Sequence, residues 1–174
     1  MEIIPFAEYN PEDRNPVDEL TNLLHASYKR LADMGLKFVA TYQTTDYTKS
    51  FIENKGECFI VVDENKIIGT VVYLTHLDDS NPEWYKKDFV AHFGKFAVHP
   101  DYQNKGIGGM LMDFIEEYAL SKNKIELALD TSEKALHLIE YYEKRGYRFI
   151  EYHQWGVVNY RSVIMSKELS RIHR

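Results

Sequence analysis

Three glycines fall within four positions, Gly106, Gly108 and Gly109, directly after Lys105 and at the point where an apolar helical periodicity begins. Glycine costs up to about 1 kcal/mol relative to alanine inside a helix, so such a start calls for a reason. A helix N-terminus presents unpaired N–H groups and about half a positive charge, and stripping away side chains lets an anion reach those groups. The stretch is therefore fit to seat a phosphate, with tight helix–sheet packing as the competing explanation. A Walker loop needs Gly-Lys followed by Ser or Thr, and here Lys105 precedes the glycine. A dinucleotide fingerprint is a poor fit: Glu126 and Asp130 lie near the right distance for its acid, but Leu111 stands where the third glycine belongs. His99 to Lys105 also separates the preceding strand from Gly106.

Other reactive side chains narrow the chemistry. His99, His137 and His153 have no companions at metal-ligand spacing, so no metal is expected. The single cysteine, Cys58, excludes an internal disulfide and a four-cysteine zinc site, and its place in the run CFIVV reads as core. No cationic leader opens the chain and no apolar run approaches the ~18 residues that span a bilayer, which makes the cytoplasm the default expectation and a membrane role unexpected. The net charge of −6 argues against nucleic acid as a partner. That excess lies wholly in residues 1–87, where fifteen acids face nine bases.

The elements that position these residues follow from periodicity. With 174 residues and no linker or repeat, one domain spanning 1–174 is expected. EIIPF reads as a strand. Asn15-Pro16 opens a helix that carries Val17, Leu20, Leu24, Tyr28 and Leu31 to Met34-Gly35. A second helix is expected over Asp46 to Asn54, then a hairpin, ECFIVVDENKIIGTVVYLTHL, and a strand from Asp88 to Val98. The helix behind the glycines presents Ile107, Met110, Leu111, Phe114, Ile115 and Tyr118 on one face. A short strand, Ile125 to Leu129, precedes a helix that Asp130 and Glu133 would cap, with Ala135, Leu138, Ile139 and Tyr142 on its apolar face and Gly146 at its end. Tyr147 to Trp155 and Val157 to Met165 read as a closing hairpin. The order β-α-α-β-β-β-α-β-α-β-β implies an α/β (α+β) mixed sheet with helices on both faces.

The segment Val98-His-Pro-Asp-Tyr-Gln103-Asn-Lys-Gly106-Ile-Gly108-Gly109 resembles the acyl-coenzyme A signature of the GNAT superfamily of N-acetyltransferases, and Tyr142-Glu-Lys-Arg-Gly146-Tyr147 resembles its second signature. The match in sequence covers roughly Phe93 to Phe149. The resemblance implies a mostly antiparallel sheet with a central parallel strand pair that splays to admit acetyl-coenzyme A (acetyl-CoA). It further implies that Phe96, Ala97 and Val98 line the cofactor, and that the backbone of Gln103, Asn104, Lys105, Gly106, Ile107, Gly108 and Gly109 holds its pyrophosphate. Tyr142 falls where many members place the acid that protonates the departing thiolate; a buried aromatic is the structural alternative. Relatives often carry an asparagine where Ala135 stands, and Ser132 is the candidate to replace that contact.

Acetyl transfer to an amine also calls for a proton acceptor. Some relatives have a glutamate at the position of His92, and strand alternation would set His92 on one face with Gly94, Phe96 and Val98; His76 and water are the alternatives. The implied activity is direct transfer of an acetyl group to the primary amine of a small molecule or peptide. A non-catalytic acyl-coenzyme A binding module of the same fold is the rival reading. Homodimers occur in the family. The acidic first half raises the expectation of a cationic amine drawn by Asp46, Glu53, Asp78, Asp79 or Glu83, with a merely solvated face as the alternative.

Overall fold

The computed structural model describes residues 1–170, so the last four positions of the expected domain lie outside the described residues. Strand β1 (Glu2–Pro5) precedes helix α1 (Pro16–Asp33). Asn15 fixes where α1 begins: its Oδ1 accepts the Val17 N–H at 2.8 Å, and Pro16 takes the first helical position, where no N–H is needed. Helix α2 (Thr45–Asn54) is capped by Thr44, whose hydroxyl accepts the Tyr47 N–H. Strands β2 (Gly56–Asp63) and β3 (Lys66–Leu74) join through Glu64 and Asn65, both at positive φ, a turn whose twist suits paired strands. Then come β4 (Val90–Val98), α3 (Ile107–Ser121), β5 (Glu126–Ser132), α4 (Leu136–Lys144), β6 (Arg148–His153) and β7 (Ser162–Glu168).

The seven strands form one sheet in the order β1-β2-β3-β4-β5-β7-β6, antiparallel except for β4 against β5. The expected mixed sheet with a central parallel pair is therefore present. Helix α3 buries Leu111, Met112 and Ile115 against Val61, Val71 and Leu127 on one face. Helix α1 buries Leu20, Leu23 and Leu24 against Ile60, Val72 and Ala97 on the other. Each such side chain contributes about 1.5–3 kcal/mol, so both faces are firmly anchored.

Three local expectations are corrected. Strand β5 runs on through Ser132, so Asp130 is a strand residue and caps nothing; α4 starts at Leu136 behind Ala135, without a side-chain cap. Residues 157–161 form a loop, and β7 begins only at Ser162. Finally, β4 carries an extra residue between the pairs Val72↔Gly94 and Thr70↔Ala97, where Lys95 has φ 51°. This bulge shifts the alternation by one. Phe93 and Phe96 consequently share the α3 face, while Ala97 joins the α1 core and His92 packs apart from Phe96 and Val98, stacked on Tyr85.

Candidate active site

The parallel strands separate almost as soon as they meet. Pairing covers Val90↔Glu126, Ala91↔Leu127 and His92↔Ala128, and stops there. Beyond His92, β4 keeps its bonds to β3 on one edge; His99 N–H, for instance, donates to Ile68 O. The opposite edge, which β5 has left, exposes the backbone of Phe96 and Val98. Their carbonyls are held by Tyr28 Oη at 3.1 Å and by Ser27 Oγ at 3.0 Å. Among the described residues neither Phe96 nor Val98 pairs with β5, and an extended chain bearing its own amide carbonyls would suit the N–H groups on that edge.

At the end of β4 the loop turns sharply. Asn104 and Gly106 both occupy the left-handed region, at φ 60° and 82°. A Cβ on Gly106 would meet nothing within 4 Å, so glycine is there for its backbone angle. Gly108 differs: a Cβ would lie 3.4 Å from Tyr141 Oη and 3.5 Å from Phe96. The first backbone bond of α3 runs from Met110 N–H to Gly106 O, which leaves the N–H groups of Ile107, Gly108 and Gly109 free among the described residues. Gln103 folds back, its Nε2 donating to Val98 O, and Lys105 lies over the Tyr102 ring. Consecutive free N–H groups at a helix start form an anion seat, as the glycine pattern predicts.

The splay opens into a cavity of about 300 Å³ walled by aromatic side chains, among them Tyr28, Phe38, Tyr47, Phe51, Trp155 and Tyr160. Tyr142 reaches this cavity from α4. Its ring is only 6% exposed, packed near Phe93, Phe96 and Tyr147, and its hydroxyl has no hydrogen-bond partner among the described residues. Burial holds its pKa well above the ordinary 10, so the proton stays on oxygen. His92 borders the same space, 4% exposed and stacked on Tyr85 at 4.2 Å. Burial pushes its pKa down to about 4, which keeps the imidazole neutral. His76, also at the cavity, pairs with Asp78 at 3.0 Å. Bonds from Ser80, ahead of the one from His76, hold the exposed Asp78 carboxyl down to about 2.

Asp130 and Lys95 join the site, Asp130 in a role other than the helix cap its sequence spacing suggests and Lys95 without a motif to mark it. Asp130, two residues past the last β4–β5 pair, accepts Tyr85 Oη and Trp155 Nε1, each at 3.0 Å, while burial raises its pKa. Lys95 projects from the bulge, with its Nζ 2.8 Å from Gln43 Oε1. The visible signal for both is a charge inside an otherwise apolar strand run. Ser132 is fully buried and does not line this cavity, and its Oγ accepts the Lys134 N–H. Of the five acids expected to draw a cation, Asp78 alone lines the cavity.

Residues 17–147 match the family model described as Acetyltransferase (GNAT) family. The chain is 31% identical over 135 residues, 75% of its own length and 77% of the relative's, to S-(2-succino)cysteine N-acetyltransferase of Bacillus subtilis (strain 168). It is 30% identical to N-acetyltransferase 8B of Homo sapiens over 60% of the chain and 44% of that protein. The fold is similar to that of an aminoglycoside 6'-N-acetyltransferase solved with coenzyme A, at 16% identity, full coverage of both chains and TM-score 0.67. It is also similar to a GNAT family acetyltransferase from Elizabethkingia anophelis with acetyl-CoA bound, at 21% identity, 97% of each chain and TM-score 0.60. A splayed parallel pair and a glycine-opened helix, matched over this span of sequence, make the chain a member of the GNAT acetyltransferase family.

Proposed function

We propose that the protein transfers an acetyl group from acetyl-CoA to the primary amine of a small molecule, by direct attack with both substrates bound. The observation that carries this reading is Tyr142, whose hydroxyl has no partner among the described residues and which lines a cavity shared with His92, Phe96, Leu129 and Asp130, where β4 and β5 part. The free N–H groups of Ile107, Gly108 and Gly109 fit a pyrophosphate, and the β4 edge at Phe96 and Val98 fits the amides of a pantetheine arm. When bound, acetyl-CoA supplies the activated acyl group as a thioester. Coenzyme A-bound relatives of the same fold support this choice of cosubstrate.

In this reading Asp130 draws the incoming ammonium, and the amine reacts once it has lost a proton to solvent water. Its lone pair forms the C–N bond while the C–S bond breaks. His92, neutral at working pH, takes the second amine proton, directly or through water, and Tyr142 gives its proton to the leaving sulfur. Cys58 offers no competing nucleophile: it is buried in the α1 core and burial pushes its thiol up to about 12. A buried free thiol suits a cytoplasmic setting. No helix among the described residues is long and apolar enough to cross a membrane.

The small-molecule acceptor is supported by the size of the cavity, about 300 Å³, and by the relative named for S-(2-succino)cysteine. An amine panel that includes S-(2-succino)cysteine, a polyamine, an aminoglycoside and a lysine peptide, scored by released coenzyme A, tests the assignment. A small primary amine is expected to support turnover above the amine-free background. Peptide-only turnover, or none, would overturn it.

A further inference from the structure

Lys95 is a cation without an anion. Its side chain leaves the bulge of β4 at the level where the sheet splays and is partly buried on the cavity wall. The ammonium sits 4.8 Å from the centre of the Phe51 ring and 5.6 Å from that of Tyr47, and Gln43 Oε1 is its hydrogen-bond acceptor. Gln43 is itself fixed, its Nε2 donating to Thr48 Oγ1 and its carbonyl bonded to His25 Nε2. No carboxylate of the described residues makes an ion pair with Lys95, and the acid whose field it feels, Asp130, has each oxygen engaged by a donor of its own.

A lysine ammonium has three donors, and here a carboxamide and two ring faces leave part of that capacity unused. An enclosed charge without a counter-charge is costly to the fold; burial draws this pKa down to about 8, so at neutral pH the group is still mostly charged. Such an arrangement is one that an anionic ligand group completes. The same cavity offers the reverse polarity at Asp130. With a lysine and a carboxylate both lining it, each held by neutral donors or acceptors rather than by an ion pair, the geometry points to an acceptor that carries a carboxylate as well as the reacting amine: an amino acid or a close derivative, its acid group on Lys95 and its amine toward Asp130 and the splay. Lys95 is then a specificity-determining residue. This inference rests on the proposed transfer to an amine, and it narrows the acceptor class.

Two matched trios test it, one on a phenylalanine and one on a methionine skeleton: the amino acid, the amine lacking the carboxylate, and the acid lacking the amine. Coenzyme A release is measured for the amino acids and amines, and calorimetric binding to the coenzyme A-loaded protein for the acids, each with wild type and Lys95→Met. The amino acids of at least one trio are expected to lose about 10- to 100-fold in kcat/KM in the variant, the range for a hydrogen bond to a charge, while their amines change less than about 3-fold. The matching acid is expected to bind wild type and to lose that binding in Lys95→Met. Acids that fail to bind, or that bind both proteins equally, overturn the inference, as does a uniform loss on amino acids and amines. Absence of release from every amine strikes instead at the transfer reading, and the acid titration still decides Lys95.

Discussion

Tyr142 and His92 stand beside the same opening, and burial moves them in opposite directions, so that at neutral pH the tyrosine is protonated and the imidazole neutral, the resting states a proton donor and a proton acceptor require. Removing the tyrosine hydroxyl in Tyr142→Phe is expected to lower kcat by about 10²- to 10⁴-fold with little change in cofactor affinity, as steady-state kinetics and calorimetry would report. For His92 the sequence alone places an acidic limb near the ordinary 6.5, whereas its buried, stacked position moves that limb to about 4. The rate of His92→Ala should therefore fall by a constant factor across about pH 6 to 9; a loss confined to the acidic side would contradict the assignment. The same burial makes a stability prediction. Above about 6.5 both folded and unfolded chains are neutral at His92. As pH falls to about 4 the unfolded chain takes up a proton that the folded one refuses, so up to about 3 kcal/mol of stability is lost, and His92→Gln should abolish that share in urea melts at about pH 7 and 4.5. Tyr142 stands out in the sequence because the second signature begins with it. The site roles of Lys95 and Asp130 do not show there, since they depend on Gln43, Tyr85 and Trp155, which lie 25 to 52 residues away.

At the scale of elements, the loop before α3 carries a separable prediction. Gly106 is needed for its left-handed angle, so Gly106→Ala should cost about 1–2 kcal/mol in stability. Gly108 has an ordinary helical backbone, so Gly108→Val should fold, at a cost of about 1–3 kcal/mol from crowding, and should weaken acetyl-CoA binding at least about 10-fold. Its branches would crowd Tyr141 and Phe96 beside the free N–H groups. A folded Gly108→Val protein with unchanged affinity would remove the anion seat. The elements that local rules define were readable: Asn15-Pro16 for α1, and the turn at Glu64-Asn65 for the β2–β3 hairpin. The end of β5 was not. Asp130 followed by Glu133 has the spacing of a capping pair, but Asp130, Thr131 and Ser132 pair with Ile164, Val163 and Ser162 of β7, and Tyr85 and Trp155 hold the Asp130 carboxylate. Residues 157–161 likewise look like a strand, yet Val158 and Tyr160 pack with Leu31 and Leu36 near the end of α1, holding the segment as a cavity wall.

For the whole molecule, the mixed topology follows from the alternation of hairpins and helices and the central parallel pair from the resemblance, whereas the position of β7 between β5 and β6 is not readable from the sequence. The charge pattern was less informative. The surplus of acid in residues 1–87 lies mostly away from the cavity, where Asp78 is its one representative among the five candidates, so kcat/KM should vary only about 3-fold or less between low and high salt. The central claim is direct transfer to a small amine held in the cavity, and isotopically labelled acetyl-CoA tests it most directly. Incubated with S-(2-succino)cysteine or with the best amine of the panel, wild type is expected to place the label on the amine nitrogen, as mass spectrometry of the product shows. The protein itself should stay unlabelled when the amine is left out. Label retained on the chain, or consumption of acetyl-CoA that is indifferent to any amine, would contradict the account.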